Sequence, residues 1–244
     1  MEGLYMMSDE IESKAKKLLD AANSAAAVGN NTMAFQYIYE AANLNYPQAL
    51  YQLAFLYDTG KGTNVDKSKA FSCLKKAAEQ GHNEAQNRLG MRYITGVGIP
   101  ANPTEGFLWI KKSAEGGGLN AQANLGYLYR HGNGVAKDYS AALYWLQKAA
   151  EQDSDMAQFQ LGGMYEKGEG TAPNAAKSAY WYERAAEQGT PDAQLLTGRN
   201  YATGKGAPRD TQKAIYWFSC VLKNPQASAS TVELANDYIR ALSR

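Results

Sequence analysis

Apolar side chains fall three and four positions apart along most of this chain, the spacing that lines one side of an α-helix. The same columns return every 36 residues. Ala49, Ala85, Ala121, Ala157 and Ala193 each open a unit. Four residues on stand Leu53, Leu89, Leu125, Leu161 and the exception Thr197, followed by Ala54, Gly90, Gly126, Gly162 and Gly198. Tyr57, Tyr93, Tyr129, Tyr165 and Tyr201 form the next column, and a G-x-G pair closes the first half of every unit, as at Gly132 and Gly134. In the second half Trp109, Trp145, Trp181 and Trp217 align, with Cys73 out of line, and a small pair such as Ala149-Ala150 follows. Five units in unbroken register make the chain a repeat array, each unit burying its sides against its neighbours.

Each unit predicts two helices. The first, for example Pro191 to Thr203, opens on Thr190 as N-cap with proline in the first helical position. Ser154 precedes Asp155 in the same way, and Pro47 repeats the proline start. This helix ends at the glycine pair, whose residues tolerate positive φ. Asp66, Asn102, Asp138, Asn174 and Asp210 stand where the second helix begins, each able to accept from the N–H groups of its first turn. The second helix of the third unit reads from Tyr139 to Gln152, with Ala142, Trp145, Leu146, Ala149 and Ala150 on its apolar side. Second helices stop at Gly81, Gly117 or Gly189, and Asp153 takes the left-handed position in another unit. The fold class is therefore all-α: antiparallel helix pairs stacked into a right-handed superhelical α/α solenoid.

Residues 1–10 read as a disordered N-terminus. A helix from Glu10 to Ala27 and one from about Asn31 to Asn43 form a degenerate pair over residues 11–48, aligning Asn45 with Gly81 and capping the array. The repeats occupy 49–84, 85–120, 121–156, 157–192 and 193–228. Beyond Phe218 the pattern decays, Asn224-Pro225 stops the helix, and residues 229–244 make a C-terminal capping helix.

Charge narrows the list of partners. With 25 basic against 24 acidic residues the net charge is +1, which removes the long-range attraction expected of a nucleic-acid or anionic-membrane binder. No stretch is long and apolar enough to span a membrane, and MEGLYMMSDEIESKAKK lacks the basic start and apolar run of a signal peptide, so the expected location is cytoplasmic unless a leader has been removed. Cys73 and Cys220 fall in distant units, which argues against a bridge and for a reducing compartment.

The unit A-x-x-x-L-G-x-x-Y-x-x-G-x-G, then D-x-x-x-A-x-x-W-x-x-K-A-A-E-Q-G, most complete in Ala121 to Gln152 and Ala157 to Gly189, closely resembles the Sel1-like repeat family, a relative of the tetratricopeptide repeats. The resemblance covers roughly residues 35–222. It implies that first helices line a concave surface and that the chain serves as a scaffold or adaptor, as bacterial members do in regulatory, host-interaction and effector-immunity roles. One branch of the family bridges each helix pair with a disulfide; the two cysteines here do not match that pattern.

The repeated residues are structural, so recognition is expected where the register varies. On the first helices these positions include Tyr51 and Phe159, then Phe55, Met91, Tyr127 and Arg199, then Arg130, which share one face at i, i+4 and i+7. With Arg88, Arg92 and Asn124 beside them, they suit a helix or extended peptide carrying aromatic anchors and acidic character. Some of the aromatics could equally fill seams between units; Tyr127 and Arg130 are expected at the surface. The expected partner is a protein or peptide, with no nucleic acid, membrane or cofactor, and the chain a monomer or weak dimer. An enzyme, such as a hydrolase using a polar pocket, is the alternative. However, His82 and His131 are the only histidines, and no nucleophile stands with histidine and acid at a recognisable spacing; His131, Glu166 and Asp58 could in principle gather on the concave side, but a metal site needs about three protein ligands and nothing in the sequence clusters that way. The G-x-G pairs carry no phosphate-binding G-x-x-x-x-G-K-S/T and read as turns.

Overall fold

The computed structural model describes the backbone of residues 2–243 and the side chains of residues 9–243. Among these residues, thirteen helices follow one another without a strand: α1 (Glu2–Ala27), α2 (Asn31–Asn43), α3 (Pro47–Thr59), α4 (Lys67–Glu79), α5 (Asn83–Thr95), α6 (Pro103–Glu115), α7 (Leu119–His131), α8 (Tyr139–Ala150), α9 (Asp155–Lys167), α10 (Ala175–Glu187), α11 (Pro191–Thr203), α12 (Thr211–Lys223) and α13 (Ala229–Leu242). Two compact units divide within the first turn of α7, at Ala121 and Gln122. In the first, α1 packs on α2, α3 on α4 and α5 on α6, with α2 on α3 and α4 on α5 joining the pairs. In the second, α8 packs on α9, α9 on α10, α10 on α11 and α11 on α12, and α13 closes against α11 and α12.

The boundaries of α2 and α11 are those expected from the sequence, while α8 stops two residues early at Ala150. At the N-terminus the helix starts at Glu2, not Glu10, because Leu4, Met6 and Met7 are good helix formers and nothing interrupts them. The side chains of residues 1–8 lie outside the described residues.

Capping explains the regularity. The side chains of Asp66, Asn102, Asp138, Asn174 and Asp210 each accept from the backbone N–H three residues on, at 2.9 to 3.2 Å. Each such cap stabilises its helix by about 1 kcal/mol. The same five residues donate their own N–H to the carbonyls of Tyr57, Tyr93, Tyr129, Tyr165 and Tyr201, closing every glycine loop back onto the first helix. Those loops turn through paired left-handed glycines, as at Gly168 (φ 74°) and Gly170 (φ 74°). After the second helices, Asn45 (φ 59°) and Asp153 (φ 63°) hold the left-handed position that glycine fills in the other units. The side-chain cap expected of Thr190 does not form; its hydroxyl is turned to donate to Asp155 Oδ2 at 3.1 Å and accepts from no N–H of the first turn. Ser154 does cap α9, accepting from Ala157 N.

The alanine and leucine columns form the interior: Ala121, Leu125, Leu146, Ala157 and Leu161 have no exposed surface. Glycine at 162 is required by close approach, since a Cβ there would lie 2.5 Å from Tyr182 Cδ1. The aromatic columns are less deeply buried than expected. Tyr57, Tyr201, Trp181 and Trp217 are buried, but Trp109 and Trp145 are half-buried, with Lys112 and Lys148 over their rings at 5.3 Å.

A polar column completes the interior. Gln86, Gln122, Gln158 and Gln194 are all buried. The Nε2 groups of Gln86, Gln158 and Gln194 donate to the carbonyls of Ala78, Ala150 and Ala186 at the end of the preceding second helix. The side-chain oxygens of Gln122, Gln158 and Gln194 in turn accept from the following pair: Gln152 donates to Gln122 at 2.8 Å, Gln188 to Gln158 at 2.8 Å and Asn224 to Gln194 at 3.2 Å. Gly116 occupies the corresponding position after Gln86, whose Oε1 has no hydrogen-bond partner among the described residues. Cys73 and Cys220 are free thiols, and among the described residues no helix is long and apolar enough to cross a membrane.

Candidate functional site

Of the ten residues expected to meet a partner, five belong to each compact unit. In the first unit, α3 and α5 bring Tyr51, Phe55, Arg88 and Met91 together. The Arg88 guanidinium lies over both the Tyr51 ring, 5.9 Å from its centroid, and the Phe55 ring, at 5.7 Å. Phe55 is 41% exposed. Tyr51 stacks on His82 with centroids 4.9 Å apart, and His82 Nε2 lies 2.6 Å from Gln48 Oε1. Nδ1 of the same ring accepts from Ala85 N, capping α5, so Nε2 carries the proton and donates to Gln48. Burial holds the His82 imidazole below its ordinary pKa, against the opposing charge of Glu84.

Two concavities flank Arg88. One, of about 460 Å³, is lined by Tyr51, Asn83, Asn87, Met91, Ser113 and Asn120 among others; the second, of about 400 Å³, by Ile38, Gln52, Phe55 and Leu56, and both share Tyr51 and Arg88. Arg92, by contrast, is no part of this surface. It is buried on α5 and paired with Asp58, whose other oxygen lies 3.5 Å from Lys67 Nζ. One turn of helix separates a buried structural arginine from a recognition candidate.

In the second unit Tyr127 is 38% exposed, its ring 4.2 Å from that of His131. Arg130, expected beside it at the surface, is turned inward with a side chain only 9% exposed. Its Nε donates to Glu169 at 2.6 Å and its Nη1 to both the side-chain and backbone oxygens of Gln160, at 2.6 and 3.2 Å. These bonds tie α7 to α9 and its glycine loop. Phe159 packs on Tyr182 at 5.7 Å and with Tyr127, Arg130 and Gly163 lines a concavity of about 320 Å³. Asn124 is half-buried. Arg199 is committed too, donating to Glu166 at 2.9 Å beside Lys205 at 2.8 Å, while Tyr182 Oη donates to the other carboxylate oxygen at 3.2 Å. Burial alone would raise the Glu166 carboxyl, but the hydrogen bond from Lys205 and the charges of Arg199 and Lys205 outweigh it and hold the group low. The phenol of Tyr182 is driven up by burial and by Glu166.

Among the described residues, no three His, Cys, Asp or Glu side chains cluster as metal ligands would. An exposed column also went unread in the sequence: Tyr144, Tyr180 and Tyr216 stand at the same place in successive second helices, each edge-on to the tryptophan that follows it. Its 36-residue spacing was the available signal.

Comparison with known proteins places this architecture. The Sel1 repeat profile matches residues 27–46, 47–82, 83–118, 119–154, 155–190 and 191–220. No curated protein gives a match. Among solved structures, a protective antigen present in uropathogenic Escherichia coli strains, displaying an SLR fold, is 31% identical with a TM-score of 0.81 over 98% of this chain. The chain spans 56% of that protein. A Sel1 repeat protein from Oxalobacter formigenes is 28% identical with a TM-score of 0.79, covering 93% of this chain and 97% of its own. An immunity protein from Pseudomonas aeruginosa shares the fold at 24% identity and a TM-score of 0.56, over 85% of this chain and 81% of its own.

Proposed function

Because the chain belongs to the Sel1 repeat family, a family of protein-interaction scaffolds, we propose that it binds a protein or peptide partner on the variable face of its first helices. One observation carries the reading. Phe55 and Tyr127 occupy one column of the repeat, each on a first helix, and both keep large exposed rings where the interior columns are fully covered. Exposed aromatics beside a cation and shallow concavities are what partner anchors need. Each compact unit thus presents its own patch, centred on Tyr51, Phe55, Arg88 and Met91 in the first and on Tyr127 and Phe159 in the second. Arg92, Arg130 and Arg199 support these patches from beneath or beside.

The test uses the full chain as bait in lysate of its source organism, alongside a Phe55→Ala/Tyr127→Ala variant, with retained proteins identified by mass spectrometry and their affinities measured with purified components. A partner held by the unaltered chain at a micromolar or tighter Kd, roughly −8 kcal/mol or better, and lost by the variant bears the proposal out. Equal retention by both baits moves the interface elsewhere.

A further inference from the structure

Among the arginines on the first helices, one differs from the rest. Arg92 is paired with Asp58, Arg130 with Glu169 and Arg199 with Glu166. Arg88 has no carboxylate within ion-pair distance among the described residues and is held only by ring faces, those of Tyr51 and Phe55. A guanidinium resting on aromatic faces keeps its in-plane N–H donors, and that fork matches a carboxylate in two parallel hydrogen bonds.

The surroundings say what the carboxylate is attached to. On one side of Arg88 the concavity lined by Ile38, Phe55 and Leu56 has room for an apolar side chain. On the other lies Asn120, whose amide suits a peptide backbone, together with Glu84. Glu84 places a negative charge in the same hollow, which opposes a multiply charged phosphate or nucleic acid more strongly than a single carboxylate. We infer that Arg88 and Tyr51 recognise a short peptide segment of the partner in which an aspartate or glutamate stands next to an aliphatic or aromatic residue, the acid on Arg88 and the apolar side chain against Phe55. This rests on the proposed interaction role and names the chemistry its first-unit patch reads.

A random decapeptide display library panned on the full chain tests it. Enriched peptides carry an acidic residue within two positions of Leu, Ile, Phe or Tyr, and a resynthesised consensus peptide loses about tenfold or more in affinity against Arg88→Gln. Arg88→Lys recovers part of that loss, because the charge returns without the fork. Replacing the peptide's acid by its amide weakens binding to the unaltered chain to the same extent and has no added effect on Arg88→Gln, and circular dichroism melting confirms that both variants are folded. Enriched peptides without an acid, or equal affinity for Arg88→Gln, overturn this inference while leaving the interaction role standing, since such binding can lie on the Tyr127 patch. An absence of enrichment over an unrelated control chain also overturns it, whereas the broader role stands or falls on capture of a folded partner.

Discussion

Tyr127 and Arg130 lie three residues apart on one helix and do opposite things. The tyrosine ring is available, while the arginine joins two helix pairs through Glu169 and Gln160. Arg130→Ala leaves Glu169, itself only 20% exposed, without its cation, and is expected to lower unfolding stability by roughly 3 kcal/mol. Tyr127→Ala should cost under about 1 kcal/mol, as exposed positions do. Urea denaturation of the two single variants checks the pair, and comparable losses would return Arg130 to the surface. The difference was not legible in the sequence, because an arginine on a helix face is written the same way whether it meets solvent or a carboxylate 39 residues on. Glycine, alanine and cap columns could be read, since left-handed φ, close approach and a free N–H each admit few residue types. The glutamine column was equally periodic, yet a polar letter reads as surface by default, and its buried partners become visible only when successive pairs are set together.

At the level of an element, α5 depends on a histidine cap. His82 accepts from Ala85 N through Nδ1, donates to Gln48 and stacks on Tyr51, with Glu84 Oε2 at 3.3 Å from the same Nδ1. Protonation would remove the acceptor that the helix terminus uses, and burial opposes the charge, so the folded-state pKa lies below the ordinary 6.5. A depressed histidine pKa means that the unfolded chain binds the proton more readily. The cap's contribution is therefore complete above pH 6.5 and lost as pH falls from there through the folded value. His82→Ser, which repeats the cap that Ser154 provides for α9, should flatten the fall in melting temperature just below pH 6.5. Part of the slope remains, because His131 is likewise held low by burial and by Arg130. An unchanged melting profile would assign the slope to other groups.

For the whole molecule, stability in a repeat array is close to a sum of unit terms and nearest-neighbour contacts. Duplicating residues 155–190 adds one helix pair, with Glu166→Gln in the first copy because Arg199 and Lys205 would then lie one repeat further on. The lengthened chain is expected to unfold in one transition with a larger urea m-value and a proportionate gain in helical circular dichroism, since m scales with the surface exposed. An insert one residue shorter should fail to fold cooperatively. The reason lies in the bonds from Gln152 to Gln122, Gln188 to Gln158 and Asn224 to Gln194. Each closes only when the next helix pair arrives at a fixed interval, so chain length is quantised: recombination that adds a whole step keeps these three buried amides paired, and any fraction of a step leaves some of them without a partner.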